Sequence, residues 1–424
     1  MNLVEKDLEY IWHPYTQHKT AKPPIVIVKG KGALLWDENG KEYIDAIASW
    51  WVNPFGHSNK YIADQIYKQL TSLEHVLLGG FTHPPAITLA ERLLSILPRN
   101  QSKVFFSDNG STSVEVAIKA ALQFFYNKNE KRTTIVAFED AFHGDTFAAM
   151  AASGISFYTL AFQGMFIDVV RVPVPVPGKE EESYEALEKI LTEHKCAAFI
   201  FEVLIQGAGG MKMYEPECLD RLIEICQKHQ VLTIADEVMT GFGRTGKLFG
   251  CDYLKNQPDV LCLSKALTAG TIPMAITTFS QNVFDGFYSD DINKALFHGH
   301  TFTGNPTGCA AAMASLDLLL SEEMQNNISR IHRSHLEFQK RLQSHPRVHT
   351  IRVRGVILAL EVSSQRQESY YGNLRNNLYD YFLKNGVMLR PIGNIVYILP
   401  PYIITQEQLD IVYSNIEKAL EEVV

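Results

Sequence analysis

Between roughly residues 100 and 280, short apolar runs alternate with amphipathic stretches, and this alternation restricts the fold more than any other feature of the chain. The runs at 103–107, 134–138, 198–202, 232–236, 260–264 and 274–279 have strand length and are rich in Val, Ile, Phe and Ala. Segments 111–126, 184–193 and 217–228, lying between some of them, carry helical periodicity instead. Strands separated by helices cannot close as hairpins. They pair in parallel and are covered by helices on both faces, which predicts an α/β fold. Such a sheet collects the carboxyl ends of its strands along one edge, and ligands bind in the crevice there. The residues that end or follow each run are therefore the candidates for chemistry.

Two runs end in complementary groups. Thr233-Ile234-Ala235-Asp236 closes on an acid, and Leu261-Cys262-Leu263-Ser264-Lys265 closes on an amine. A lysine at a strand end can form a Schiff base with an aldehyde cofactor, and pyridoxal phosphate (PLP) chemistry needs such a nucleophile. A carboxylate beside it would keep the pyridinium nitrogen protonated and the ring an electron sink. The segment Asp108-Asn109-Gly110-Ser111-Thr112 follows another strand and opens a helix. Its free N–H groups, hydroxyls and dipole suit a phosphate, although taken alone it reads as a plain helix cap. Phe142, in Phe142-His143-Gly144-Asp145, can stack on one face of an aromatic ring, and Val238 can touch the other.

Composition removes several classes of function. The 424 residues include 46% hydrophobic and 20% charged side chains, enough for a large core and more than one ordinary domain. A net charge of −8 without a basic cluster argues against a nucleic-acid partner. The six cysteines, Cys196, Cys218, Cys226, Cys251, Cys262 and Cys309, show no C-x-x-C pair and fall mostly in apolar segments. Reduced core thiols are expected, with no metal site and no disulfide framework. No run approaches the ~20 apolar residues of a membrane span, and the start lacks a basic, apolar leader. A soluble, cytoplasmic protein is expected.

The texture changes after Gly304. Helical stretches at 306–320 and 322–344 lead into strands at 350–362 and 387–397, with helices near 371–383 and 406–423. A hairpin over 33–37 and 41–45 turns at Glu38-Asn39-Gly40. The alternating prolines of 172–178 favour an extended edge segment. A large domain over 50–305 is expected, with a smaller α+β domain built from both ends, 1–49 and 306–424.

Taken together, Asn109-Gly110-Ser111, Phe142-His143-Gly144-Asp145, Asp236-Glu237-Val238, Gly241-Phe242-Gly243-Arg244-Thr245-Gly246 and Ser264-Lys265 resemble the class III PLP-dependent aminotransferases. The resemblance runs from about residue 10 to the end. It implies PLP fold type I, a large domain with a mainly parallel seven-stranded sheet, and homodimers whose active sites draw on both subunits. It further implies cofactor contacts from Gly110, Ser111, Phe142, His143, Asp236, Val238 and Lys265, with Lys265 and Asp236 catalytic. His298-Gly299-His300-Thr301-Phe302 stands in the family's H-G-x-T-F position, which would send Thr301 to the phosphate of the neighbouring subunit.

The ends of the chain narrow the substrate. Tyr15, Trp50 and Trp51 can wall an apolar channel for an aliphatic chain, and Arg390 can clamp a terminal carboxylate. With Tyr397, Phe142, Arg244, Gly299 and His300, these resemble the family members that aminate 8-amino-7-oxononanoate in biotin biosynthesis. S-Adenosylmethionine is the expected donor, with lysine open. Phe142 stands where those members usually carry Tyr, His300 where Pro is usual, and Val203 where Glu-Pro is common after Glu202. Two rivals remain: another ω-aminotransferase of 4-aminobutyrate or ornithine type, and a PLP-binding protein without catalysis.

Overall fold

The computed structural model describes residues 1–154, 156, 158–363 and 372–424. Its centre is a seven-stranded sheet. Across it the order is Gln101–Ser107, Ala275–Ser280, Val260–Leu263, Leu232–Asp236, Cys196–Glu202, Thr134–Phe138 and Val169–Val172. Every strand is parallel except Ala275–Ser280, which runs antiparallel to both neighbours. Alternation along the strands divides the core in two. Val136, Phe138, Phe199, Phe201 and Leu261 pack on one face, in the cluster that takes in the helix Pro216–Lys228. Ile135, Ala137, Ala198, Ile200 and Val260 pack on the other, against the apolar side of Gly110–Asn127. With both faces covered, the inner strands are buried at every residue. Val169–Val172, which leads into the proline-rich segment, is an edge strand.

The ends of the chain meet in a second sheet. Ile27–Lys31, Leu34–Asp37 and Glu42–Asp45 form an antiparallel meander, and Val387–Met388 adds to Glu42–Asp45 in parallel. Residues 350–362, expected as one strand, form a hairpin of Val348–Arg354 and Ile357–Val362. The reversal uses Gly355 at φ +57°, where a Cβ would collide with the Thr245 carbonyl carbon. The expected strand over 387–397 also divides. Pro391 cannot donate to a ladder, and Gly393 at φ +57° turns the chain, so Ile395–Ile398 pairs instead with Ile357–Val362. Helices over Lys60–Leu70 and Pro84–Ile96 are additional. The C-terminal helices are Asn373–Lys384 and Gln406–Glu422, and Tyr371 of the expected 371–383 lies outside the described residues. All six cysteines are buried and unpaired. Among the described residues, no helix is long and apolar enough to cross a membrane.

Candidate active site

Asp236 ends its strand with the carboxylate buried at the carboxyl edge of the sheet, in register with Glu202 on one neighbouring strand. Its Oδ1 accepts the Val238 N–H at 3.0 Å, and its Oδ2 lies 2.7 Å from His143 Nδ1. A carboxylate beside a buried imidazole takes the ring N–H as donor, so the pair fixes the His143 tautomer. The next strand ends at Leu263, after which the Ser264 hydroxyl donates to the Met274 carbonyl at 2.9 Å and pins the turn. Lys265 then adopts φ +47°, the left-handed region that a side chain rarely enters without enforcement by its surroundings. Its Nζ lies 4.6 Å from the centre of the Trp51 ring. Burial pushes the Lys265 ammonium down to about 8; Asp236 and Glu202 oppose the shift and Arg244 adds to it.

The helix Gly110–Asn127 begins beside this pair. Asn109 caps it reciprocally with Thr112, leaving the first turn facing the cleft. A Cβ on Gly110 would come within 2.6 Å of Val238 Cγ1. Gly144, at φ +132°, packs so closely that a Cβ would strike Ser111 Oγ. Ser111 Oγ also accepts the Thr146 N–H at 2.9 Å and lies 2.7 Å from Thr146 Oγ1. The result is a cleft of about 650 Å³ lined by Gly110, Ser111, Phe142, His143, Asp236 and Lys265 among others.

Glu202 also lines this cleft and was not expected there. Its Oε1 accepts the Gly207 N–H at 2.8 Å and its Oε2 the Phe142 N–H at 3.2 Å, tying two loops to the sheet edge. Burial pushes its carboxyl up to about 7; His143 opposes this and Asp236 adds to it. The signal was present in the sequence, since Glu202 closes its run just as Asp236 does.

The substrate-side residues fall into three groups. Tyr15, Trp50, Trp51, Tyr397 and Arg390 come together. Tyr15 meets the edge of Trp50, with ring centres 6.1 Å apart, and Arg390 Cζ lies 5.1 Å from the Trp50 ring centre. Trp51 is buried and donates its indole N–H to the Tyr397 hydroxyl at 3.1 Å. Tyr15 also hydrogen-bonds Asp145 through its hydroxyl. Arg244, expected at the substrate, is fully buried and is not among the residues that line the cleft. It donates to the main-chain carbonyls of Trp51 and Pro400, both at 3.1 Å, and so reaches the site only through the backbone it holds. Gly299, His300 and Thr301 form a third group on a loop that does not line the cleft of its own chain; Gly299 and Thr301 are exposed. Within this loop the His300 N–H donates to Thr303 Oγ1 at 3.0 Å.

Comparison with known proteins agrees with this geometry. The family model for aminotransferase class-III matches residues 15–420. A Synechococcus elongatus protein named adenosylmethionine-8-amino-7-oxononanoate aminotransferase is 42% identical over 422 residues, spanning 98% of this chain and 99% of that relative. A Helicobacter pylori protein of the same name is 36% identical over 436 residues, spanning 99% and 98%. Among solved structures, an enzyme of that name from Methanocaldococcus jannaschii superposes with a TM-score of 0.93 at 33% identity, covering 99% of each chain. An amine transaminase from an uncultivated Pseudomonas species, determined with PLP bound, gives 0.92 at 29% identity, covering 98% of this chain and 99% of that one.

Proposed function

The chain belongs to the class III aminotransferases, and within that family we propose that it aminates 8-amino-7-oxononanoate to 7,8-diaminononanoate, with S-adenosylmethionine as the donor. The observation that carries the reading is one cleft holding the Lys265 amine, the Asp236–His143 pair and the Gly110–Ser111 helix start, with Trp51 in its wall and the neighbouring Trp50 ring against Arg390. The printed names of the relatives support the substrate.

PLP fits these residues. Glycines at 110 and 144 leave no room for a Cβ, so backbone lies close to where a phosphate would sit, and Ser111 adds its hydroxyl. Phe142 and Val238 line the same cleft and would bracket the ring, with Asp236 at its nitrogen. Bound there, PLP supplies an aldehyde that reacts with amines and a ring that withdraws electrons from the substrate carbon.

The chain's own residues do the rest. His143 and the Val238 N–H hold Asp236 as an oriented anion facing the cleft. Lys265, with its affinity for protons reduced by burial, presents an amine that would bond the cofactor's aldehyde and would hold a proton at Nζ. Trp51 and Phe142 shield this centre from water, and Arg390 pairs with the distal carboxylate of the oxononanoate.

In this reading residues 50–305 form the cofactor domain, and the two chain ends, joined through the pairing of Glu42–Asp45 with Val387–Met388, form the smaller one. The active species is a homodimer in which Thr301 serves the partner's site. Exposed Phe297 and Phe302 flank that loop, as a buried subunit contact requires. Six unpaired cysteines support a reducing compartment, the cytoplasm.

Incubating the purified enzyme with 8-amino-7-oxononanoate and either S-adenosylmethionine or lysine tests the reading by product mass. Diamine formed with S-adenosylmethionine supports it. Diamine formed with lysine alone replaces the donor, and turnover of 4-aminobutyrate or ornithine without any action on the oxononanoate overturns the substrate.

A further inference from the structure

Trp50 and Trp51 stand on a loop whose backbone is strained. Ala48, Ser49 and Trp51 have φ of +49°, +62° and +68°, and Trp50 between them has φ −123° and ψ 58°. Three left-handed residues other than glycine within four positions persist only where the surroundings enforce them. The sequence of this loop, Ile47-Ala48-Ser49-Trp50-Trp51-Val52, contains no glycine or proline that would favour the turn. The enforcement comes from outside.

It comes from two fully buried charges. Asp45, the last residue of the strand Glu42–Asp45, accepts the Ile47 N–H on Oδ1 at 3.1 Å and the Ser49 N–H on Oδ2 at 2.7 Å. His57 adds a third donor, with Nε2 2.9 Å from Oδ2, while its Nδ1 lies 3.1 Å from Asn53 Nδ2. An amide nitrogen can only donate to the ring, so His57 carries its hydrogen on Nε2 and the whole chain of bonds is consistent. On the far side of the loop, Arg244 donates to the Trp51 carbonyl at 3.1 Å. A carboxylate gathers the N–H groups at the start of the loop, and a guanidinium holds a carbonyl at its end.

We propose that Asp45 is a positioning residue for the amino-acceptor site: its carboxylate, opposed by Arg244, holds residues 47–51 in the strained form that sets Trp50 under Arg390 and Trp51 under Lys265. The inference rests on the reading of 8-amino-7-oxononanoate as acceptor. In that reading the distal carboxylate binds where Trp50 and Arg390 meet. Among the cofactor residues Lys265 meets the loop, at the Trp51 ring, whereas Gly110, Ser111, His143 and Asp236 are held by contacts that do not pass through Asp45. Releasing the clamp therefore changes recognition of the long acceptor before it changes cofactor binding.

Asp45→Asn is the direct test. An asparagine offers one acceptor oxygen and one NH2 group to three N–H donors, so at least one donor faces another. The enzyme without substitutions is assayed first with both substrates. If it does not consume the oxononanoate, the assigned reaction is wrong; if it does, the variant judges the clamp alone. The expected result is a rise of at least ten-fold in KM for the oxononanoate, with KM for the donor and PLP content within two-fold of the parent. Adding Ser49→Gly, which removes the steric penalty at φ +62°, should lower the raised KM again. Unchanged KM values in Asp45→Asn overturn the proposal, as does an equal rise for both substrates accompanied by loss of PLP. If Asp45→Asn does not accumulate as folded protein, His57→Leu, which removes one donor from the carboxylate and leaves the strand intact, is judged by the same split.

Discussion

At the scale of single residues, Lys265 combines a strained backbone, a half-buried side chain and an amine pushed down to about 8. Lowering the value of a buried lysine enlarges its neutral fraction as pH rises through that value. PLP capture by the apoenzyme should therefore accelerate with pH, with a midpoint near 8, and Lys265→Ala should abolish both covalent capture and turnover. A capture rate that stays flat from pH 6.5 to 9.5, followed by absorbance, would assign the nucleophile elsewhere. In the proposed reaction Asp236 would act by its charge and not by its shape, so Asp236→Asn should retain PLP while slowing transamination by at least ~10²-fold, the scale of a lost positioned charge. Single-turnover kinetics with the donor read this directly, and a rate near the parent's would mean another carboxylate serves the ring nitrogen. Arg390, over the Trp50 ring, should act on affinity. Arg390→Ala is expected to lower kcat/KM for the oxononanoate ten- to a hundred-fold, the equivalent of ~1.5–3 kcal/mol for a charge-assisted bond. Equal damage to the donor half-reaction would assign Arg390 a structural role instead.

At the scale of elements, strand ends and helix starts position the chemistry, while polar links lock the elements together far from it. The clearest such link joins the helices Glu322–Leu342 and Gln406–Glu422 through His335. His335 Nε2 lies 3.1 Å from the Val356 carbonyl, which can only accept, so Nδ1 is left to accept from the Tyr413 hydroxyl at 2.6 Å. Burial holds this imidazole down to about 3 from an ordinary 6.5. The unfolded chain therefore takes up a proton below pH 6.5 that the folded chain refuses until about 3. The contribution of His335 to stability is constant above 6.5 and falls through that window, by about 3 kcal/mol at pH 4.5. In urea unfolding of protein with matched PLP content, His335→Gln should lose less stability than the parent between pH 7 and 4.5. An identical loss would mean that His335 already titrates in the native state. The element scale also shows where the sequence misled. The apolar run at 387–397 has strand character throughout, yet Pro391 and Gly393 divide it between two sheets, because a missing N–H and a left-handed turn outweigh the propensity of their neighbours.

At the scale of the whole molecule, the proposed active site is assembled from segments more than 300 residues apart, with Tyr15 and Arg390 meeting at Trp50, and Tyr397 and Lys265 meeting at Trp51. The proposed dimer extends this assembly across subunits and gives it a test. When Lys265→Ala and Thr301→Ala chains are mixed, one site of each heterodimer has neither residue. The other has Lys265 from one chain and Thr301 from its partner. Activity should rise above that of either parent; no rise, with heterodimers confirmed by mass, would put Thr301 in its own chain's site. The parallel sheet, the strand-end pair of Asp236 and Lys265 and the glycine-bearing helix start were legible in the sequence, because each depends on residues close together in the chain and on the period of the pleat. Other features depended on what lies opposite in space. Glu202 became part of the site because its strand pairs beside Asp236. Arg244 turned from the substrate to the backbone because the Trp51 and Pro400 carbonyls lie around it. Ala48, Ser49 and Trp51 hold left-handed conformations that no local residue favours, because Asp45 and Arg244 enforce them. The sequence determined which groups stand at the ends of which elements, through local propensity and pattern; only tertiary packing decided what each group faces, since desolvation and hydrogen-bond partners come from chain that is distant in sequence.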